Sequence, residues 1–388
     1  MVLFRTEHRQ ILKFNYSEHE EYAGLLSSIG TLLERQVAPS SPDFDSKTKT
    51  IQSARKTLLD NGIVQIAYPA QYGGLGLPFG VYDLAMELLG AADASIALSI
   101  GIHNTAAEGL SQFGSEALKK EFLADIIAGR RLASFSLTEP TSGSDAKAMN
   151  TRAKKSGGEY VLNGSKMYIT NAGEADIYFV FATTEKGPSS FLVEKTVPGI
   201  QFGGDIAKLG MRGSRTSEVR FTDCKVPREM LVGEEGKGFD YAKAMLNGSR
   251  IVMGSICVGI AQASFDKALA YSKQRKAFGS AISEFQLTQE KIADMKTGIT
   301  AGRLLCMHAA RLRESRADFS SEASQAKVFS TEMSLRVCDA AIQIFGGYGY
   351  TTDDIHRHWR DARLLTIGEG TSEVLRLLIA RKELARSL

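Results

Sequence analysis

A glutamate stands between two glycines in RLLTIGEGTSEVLRLLIA, residues 363–380. Gly368 and Gly370 strip side chains from either side of Glu369 and admit turns that other residues resist. A reacting group can therefore come close to the carboxylate, which has the chemistry of a general base. The same residues also read as a helix start. Thr371 and Ser372 carry hydroxyls that can satisfy the free amides of a first turn, and Glu373 suits the positive end of a helix. On this stretch alone both readings stand.

Other stretches carry polar groups in patterns suited to a large ligand. SFSLTEPTSGSD, residues 134–145, mixes hydroxyls with Gly143 and a run of backbone amides, a composition that can surround a polar cofactor or form a plain Pro and Gly loop. KMYITN, residues 166–171, lies in an expected strand, where alternation puts Tyr168 and Thr170 on one face. A flat ligand or simple surface pairing would use that face. QIFGGYGYTTD, residues 343–353, sets a side-chain amide before a Gly-Gly turn, which fits either close approach to a phosphate or a helix end. RKAFG, residues 275–279, adds a cation after a long helical pattern.

Other chemistries are poorly served. None of these stretches is the G-x-G-x-x-G dinucleotide fingerprint behind a strand. HRH, residues 356–358, has no clear further ligands nearby, so no metal is expected. SGSD is not a nucleophile elbow, and spacing does not make His103 its base. Cys224, Cys257, Cys306 and Cys338 are too scattered for a metal site or a disulfide framework, so reduced, packed thiols are expected.

The elements that must position these groups fall into three sections. The chain has 388 residues, 43% hydrophobic, enough for several domains. From Tyr22 to about Arg131 apolar residues recur at helical spacing. From about Leu132 to Gly233 short β-branched and aromatic runs alternate with turn residues. Long helical patterns then return. The expected fold is α+β, mainly α: an N-terminal helical domain (1–131), a central β-barrel or sandwich (132–235) and a C-terminal four-helix bundle (236–388). A net charge of +3 without basic runs excludes an electrostatic footprint for nucleic acid. The apolar run around IVMGSICVGIAQA is shorter than a helix crossing ~30 Å of hydrocarbon needs, so no membrane span is expected. The N-terminus has no continuous apolar signal core and is acidic for a transit peptide, which points to the cytoplasm, or to the mitochondrial matrix if the start is processed.

Taken in order, TEPTSGSD, GSKMYITN, RKAFG, QIFGGYGY and RDARLLTIGEGTSE resemble the acyl-CoA dehydrogenase family over nearly the whole chain. The resemblance implies FAD between the β domain and the C-terminal helices. Phe135, Leu137, Thr138, Gly143 and Ser144 would surround one part of it, and Tyr168, Thr170 and Thr371 would contact it nearby. Arg275, Phe278, Gln286, Gln343, Gly346 and Gly347 match positions used for its adenine and pyrophosphate end, partly across a subunit interface. A homotetramer, built as a dimer of dimers, follows from that. Glu369 matches the catalytic base, which would take the α-proton of an acyl-CoA while hydride leaves for flavin N5. Ser144, Phe239, Asn247, Arg250 and Gly370 match substrate-side positions. The implied electron acceptor is an electron-transfer flavoprotein.

This sequence departs from the family at informative places. Some relatives carry the base just before the arginine matched by Arg250, where this chain has Ser249, so Glu369 is the better match. Gly368 replaces a common Tyr, removing bulk near the acyl chain, and short, medium or branched acyl groups are expected. Tyr168 stands for a common Trp and Asn247 for a common Asp. Alternatives on the same scaffold are an acyl-carrier-protein-linked dehydrogenase, a flavin oxidase or monooxygenase, and a noncatalytic flavoprotein.

Overall fold

Sparse apolar spacing still folds the extreme N-terminus. In the computed structural model, which describes residues 2–351 and 354–385, α1 (Thr6–Asn15) buries only His8 and Leu12. Two buried positions are too few to register as a period, so this helix lies ahead of the pattern read from Tyr22. Helices α2 (His19–Gln36) and α3 (Gln52–Asp60) follow. The small-residue run beyond them forms α4 (Phe79–Ala92) and α5 (Ala94–Phe113). Asp93 separates these two: it leaves helical geometry and its carboxylate accepts from Ile96 N at 2.8 Å, an N-cap. Both helices are buried almost all round, as core helices must be when they carry few charges.

The middle of the chain forms one eight-stranded mixed sheet. Its strands are β1 (Ala133–Ser136), β2 (Arg152–Ser156), β3 (Glu159–Thr170), β4 (Ile177–Thr184), β5 (Gly187–Glu194), β6 (Ile200–Phe202), β7 (Thr216–Pro227) and β8 (Leu231–Val232). The order is β6-β7-β3-β2-β4-β5-β8, with β1 added beside β4. β1 and β2 share one edge of β4, β1 along residues 177–180 and β2 at Thr183. The chain between them leaves the sheet as a loop, tied to it at either end where the Thr138 carbonyl accepts from Met167 N and the Thr151 carbonyl from Thr183 N, each at 2.8 Å.

Helix α6 (Gly238–Gln274) is the spine of the C-terminal section, with α7 (Gln286–Glu314) and α8 (Ser320–Phe345) packed along it. Its 37 residues extend ~55 Å at the α-helical rise. This corrects the reading of its apolar run as too short: by length and composition α6 is able to cross a membrane, but 83% of its apolar stretch is buried inside the protein, as in a core helix. Glycine explains how α4 comes so near. A Cβ on Gly259 would lie 2.0 Å from the Glu87 carbonyl oxygen of α4, and one on Gly90 would lie 2.5 Å from the Ile256 carbonyl oxygen. The crossing is locked by a buried network. Glu87 accepts from Arg303 of α7 at 2.6 Å and meets His8 Nε2 at 3.1 Å. Burial raises the Glu87 carboxyl, but Arg303 and His8 outweigh it and hold the group well below the usual carboxylate range.

Two shorter helices finish the chain, α9 (Ile355–Leu365) and α10 (Ser372–Leu384). Only the second was expected. α9 is clamped to both other sections. Arg360 donates to Asp45 Oδ2 at 2.6 Å and to the Leu209 carbonyl at 3.0 Å, while Asp361 accepts from the Met211 backbone amide. The loop carrying Glu369 hangs between this fixed helix and α10.

Candidate active site

The helix-start reading of the GEGT stretch holds. Thr371 Oγ1 accepts from Val374 N at 3.3 Å and caps α10, so this residue, matched to the cofactor, also has a structural role. Immediately before it, Glu369 and Gly370 take left-handed backbone with φ of 57° and 95°. That conformation is strained for glutamate and needs outside support. It comes from two buried cations: Arg250 Nε donates to the Glu369 carbonyl at 3.3 Å, and Lys327 Nζ to the Gly370 carbonyl at 2.6 Å. Arg250 also donates to Asn247 Oδ1 at 2.7 Å, which joins two of the substrate-side positions.

The Glu369 side chain is half-buried, and its Oε2 is sealed from solvent with no hydrogen-bond partner. Ser249 Oγ is buried and unpartnered too. Burial pushes the Glu369 carboxyl above the usual carboxylate range, against the opposing pull of the Ser249 hydroxyl, Arg250 and Lys327. The two flanking glycines differ in purpose. A Cβ on Gly368 would meet only the Leu364 carbonyl oxygen, at 3.8 Å, so this side is open. On Gly370 it would press on Leu375 at 3.2 Å, and the positive φ already demands glycine.

From the sheet, the expected residues arrive by less regular means. Phe135 packs edge-on against Phe181, with ring centroids 5.3 Å apart, and Leu137 is also buried, so their side chains belong to the core and only backbone groups remain for a ligand. Thr138 is half-buried, while Gly143 and Ser144 are exposed on the excluded loop. Phe239, at the start of α6, approaches that loop through Lys147, whose Nζ lies 5.1 Å from its ring centroid. Tyr168 overturns the plain alternation argument. The β3–β7 register shifts between Lys166 and Ile169, Tyr168 takes φ of 59° and is 63% exposed, whereas Thr170 is nearly buried. A bulge breaks the two-residue period, so spacing alone does not set their shared face.

Missing from the residues singled out in sequence is the latch under this loop. Glu139 Oε1 accepts from Lys166 Nζ at 2.7 Å and from Thr151 N at 3.0 Å, and Lys166 also donates to the Leu137 carbonyl at 3.1 Å. Lys327 was missed as well. Nothing in local periodicity marks either lysine, since each acts on residues far away in sequence.

The remaining expected residues gather elsewhere. Arg275 sits over Tyr348, 5.9 Å from its ring centroid, and Tyr271 stacks on Phe345 at 4.2 Å. Gln286, Gln343, Gly346 and Gly347 are exposed, and Phe278, on a small hairpin with φ of 51°, is 100% exposed. Thr352 and Asp353 of the adjoining motif lie outside the described residues. Arg250 lies within α6 and Arg275 directly follows its last residue, which sets them ~37 Å apart by helical rise. One chain thus carries two separated clusters.

The discarded candidates have structural partners. His103 accepts at Nδ1 from Ala133 N at 2.9 Å, which leaves Nε2 to donate to the Ile126 carbonyl at 3.0 Å; burial pushes its pKa down to about 4. His358 Nδ1 lies 2.8 Å from Ser264 Oγ. Among the described residues no group of three or more His, Cys, Asp or Glu is placed to hold a metal, and all four cysteines are buried and unpaired.

Three family models match in chain order: acyl-CoA dehydrogenase N-terminal domain on residues 19–130, middle domain on 134–224 and C-terminal domain on 236–384. A probable acyl-CoA dehydrogenase, YngJ of Bacillus subtilis, is 39% identical over 376 residues, covering 95% of this chain and 99% of that protein. The short-chain specific acyl-CoA dehydrogenase of Megasphaera elsdenii is 40% identical over 375 residues, covering 94% and 97%. Among solved structures, butyryl-CoA dehydrogenase from Megasphaera elsdenii superposes with a TM-score of 0.92 at 38% identity, covering 94% and 98%. A structure described as an electron transferring flavoprotein of Acidaminococcus fermentans gives 0.91 at 38%, covering 98% and 99%. PigA with FAD and proline gives 0.90 at 28%, covering 95% and 98%.

Proposed function

The chain belongs to the acyl-CoA dehydrogenase family, and from that premise we propose that it converts a short or branched acyl-CoA to the trans-2-enoyl-CoA with Glu369 as base and FAD as cofactor. One observation carries the reading: a carboxylate oxygen buried without a partner, on a loop held by two cations, beside open space at Gly368. Such a carboxylate is already desolvated and takes an α-proton more readily than one in water. Its own backbone N–H has no partner among the described residues and is free to receive the thioester oxygen, on which charge develops as the proton leaves. Arg250 fixes the carbonyl of the same residue, so base and amide move as one unit.

The residues present fit FAD. Tyr168 offers an exposed ring at a bulge with Thr170 two residues on, the latched loop from Leu137 to Ser144 supplies backbone amides and hydroxyls, and Thr371 stands two residues after Glu369. When bound, FAD supplies the hydride acceptor. The second cluster, Arg275, Phe278, Gln286, Gln343, Gly346 and Gly347, would serve the site of a neighbouring copy in a homotetramer, since it stands too far along α6 to serve its own. An electron-transfer flavoprotein is the proposed acceptor.

Substrate preference follows from Gly368, which leaves space where bulk is common, and from the short-chain relatives. The test is anaerobic mixing of the FAD-loaded protein with butyryl-, isobutyryl-, isovaleryl-, octanoyl- and palmitoyl-CoA, following flavin bleaching. Fastest bleaching by a four- or five-carbon group is expected. Fastest bleaching by palmitoyl-CoA would refute the preference, and bleaching only by carrier-protein thioesters would refute the CoA assignment. A separate expectation concerns Phe278. Its change to Ala should weaken FAD retention about tenfold, equivalent to about 1.4 kcal/mol, and loosen the assembly; flavin-to-protein ratio and sedimentation measure both.

A further inference from the structure

A fully buried lysine is an expensive way to hold one carbonyl. Lys327, on α8, is 0% exposed, and its Nζ donates to the Gly370 carbonyl at 2.6 Å. The charged and titratable groups that face it are Cys257 and Arg250 of α6, Glu369 in the loop and Glu373 of α10. None makes an ion pair with it at contact distance among the described residues. Burial pushes Lys327 down to about 8, against the pull of Cys257, Glu369 and Glu373. The sign matters. A lysine whose folded value lies below its ordinary one costs stability at every pH where it stays charged, and the cost fades only as pH rises from the folded value through the ordinary one. An uncharged side chain of similar shape would suit the fold better. The charge must therefore be explained by something other than stability.

Geometry points to what that is. Arg250 and Lys327 hold successive carbonyls, those of Glu369 and Gly370, at the two left-handed residues. We infer that Lys327 is a positioning residue for the reaction: its ammonium fixes the Glu369–Gly370 backbone so that the carboxylate is presented to substrate, and its charge favours the ionised carboxylate. The inference rests on the reading of Glu369 as the base.

Lys327→Met removes charge and donor together; Lys327→Gln keeps a donor alone. Both should fold and keep FAD, with thermal stability at pH 7 no lower than wild type. The Met variant should lose roughly ten- to hundredfold in kcat, the scale of a misplacement near 1 Å, with KM little changed. In both variants the acid limb of the kcat/KM profile should move to higher pH, while Gln should recover part of kcat. A crystal structure of the Met variant reads the loop without turnover, and Glu369 should leave its left-handed backbone. A loop and an acid limb both unchanged would overturn the inference, as would loss of the fold in both variants. Glu369→Gln, assayed beside them, separates the two ideas: turnover surviving there removes the base assignment, whereas Lys327 is still judged by the loop.

Discussion

Glu369→Gln is expected to slow flavin reduction by acyl-CoA by about 10²–10⁴-fold, the usual worth of a positioned base, while FAD remains bound. Glutamine matches the volume and keeps the left-handed loop anchored through Arg250 and Lys327, which hold backbone oxygens rather than the side chain. What is lost is the proton acceptor. No second carboxylate stands ready on α6, where the neighbour of Arg250 is Ser249. The same variant should be more stable than the wild type at neutral pH. The folded carboxyl lies above its ordinary value because burial opposes the charge. Below the ordinary carboxylate range both folded and unfolded states hold the proton, and no penalty exists. As pH rises, the unfolded chain releases its proton first, so stability falls until the folded value is passed and then stays low. Calorimetry of the two proteins should show a higher Tm for Gln at pH 8 and coincident values near pH 4. Bleaching at the wild-type rate would remove Glu369 from the chemistry; a Tm gain without loss of rate would leave it a merely strained residue.

How much of this was legible beforehand depends on range along the chain. The C-terminal section was expected as long helices, and α6, α7 and α8 are that, because burial on a helix repeats within a few residues. α1 was not, for it buries just two side chains. The glutamate between glycines was visible, yet the cations that hold it were not connected to it. Lys327 acts on a carbonyl 43 residues away, and Arg250 on one 119 away. Tyr168 shows the opposite failure, where a local rule was applied to residues that a bulge had taken out of alternation. The resemblance names the residues expected to meet ligands and passes over Lys327, Lys166 and Glu139, which hold the backbone beside them.

Lys166→Met should cost the protein its flavin. Lys166 and Glu139 are 0% and 2% exposed at the side chain, and the pair closes the loop that leaves the sheet after β1. Glu139 gathers Lys166 together with the amides of Asn150 and Thr151, so one carboxylate ties the start of the loop to its end. The two partners gain unequally. Burial lowers the Lys166 ammonium to about 8 despite Glu139, whereas the carboxyl, though raised by burial, is held down by Lys166 and the backbone amides. Three-fold donation to one anion makes the carboxylate the better-satisfied member, and the geometry favours reading the latch from its side. Removing the lysine leaves a buried anion with its amides alone, a loss of about 3–5 kcal/mol for a broken buried pair. That energy is local to residues 137–151, where Thr138, Gly143 and Ser144 are expected to meet the cofactor. The expected result is a protein with native far-ultraviolet circular dichroism that releases FAD on gel filtration, and whose loop is cut early by protease. Adding Glu139→Gln should restore part of the retention, since the neutral amide no longer strands a charge and its one oxygen still accepts from one of the two backbone amides. Full retention in the single variant would show that the loop is held by its other contacts, and an equal loss in the double variant would show that the cation, rather than the stranded anion, is what the site requires.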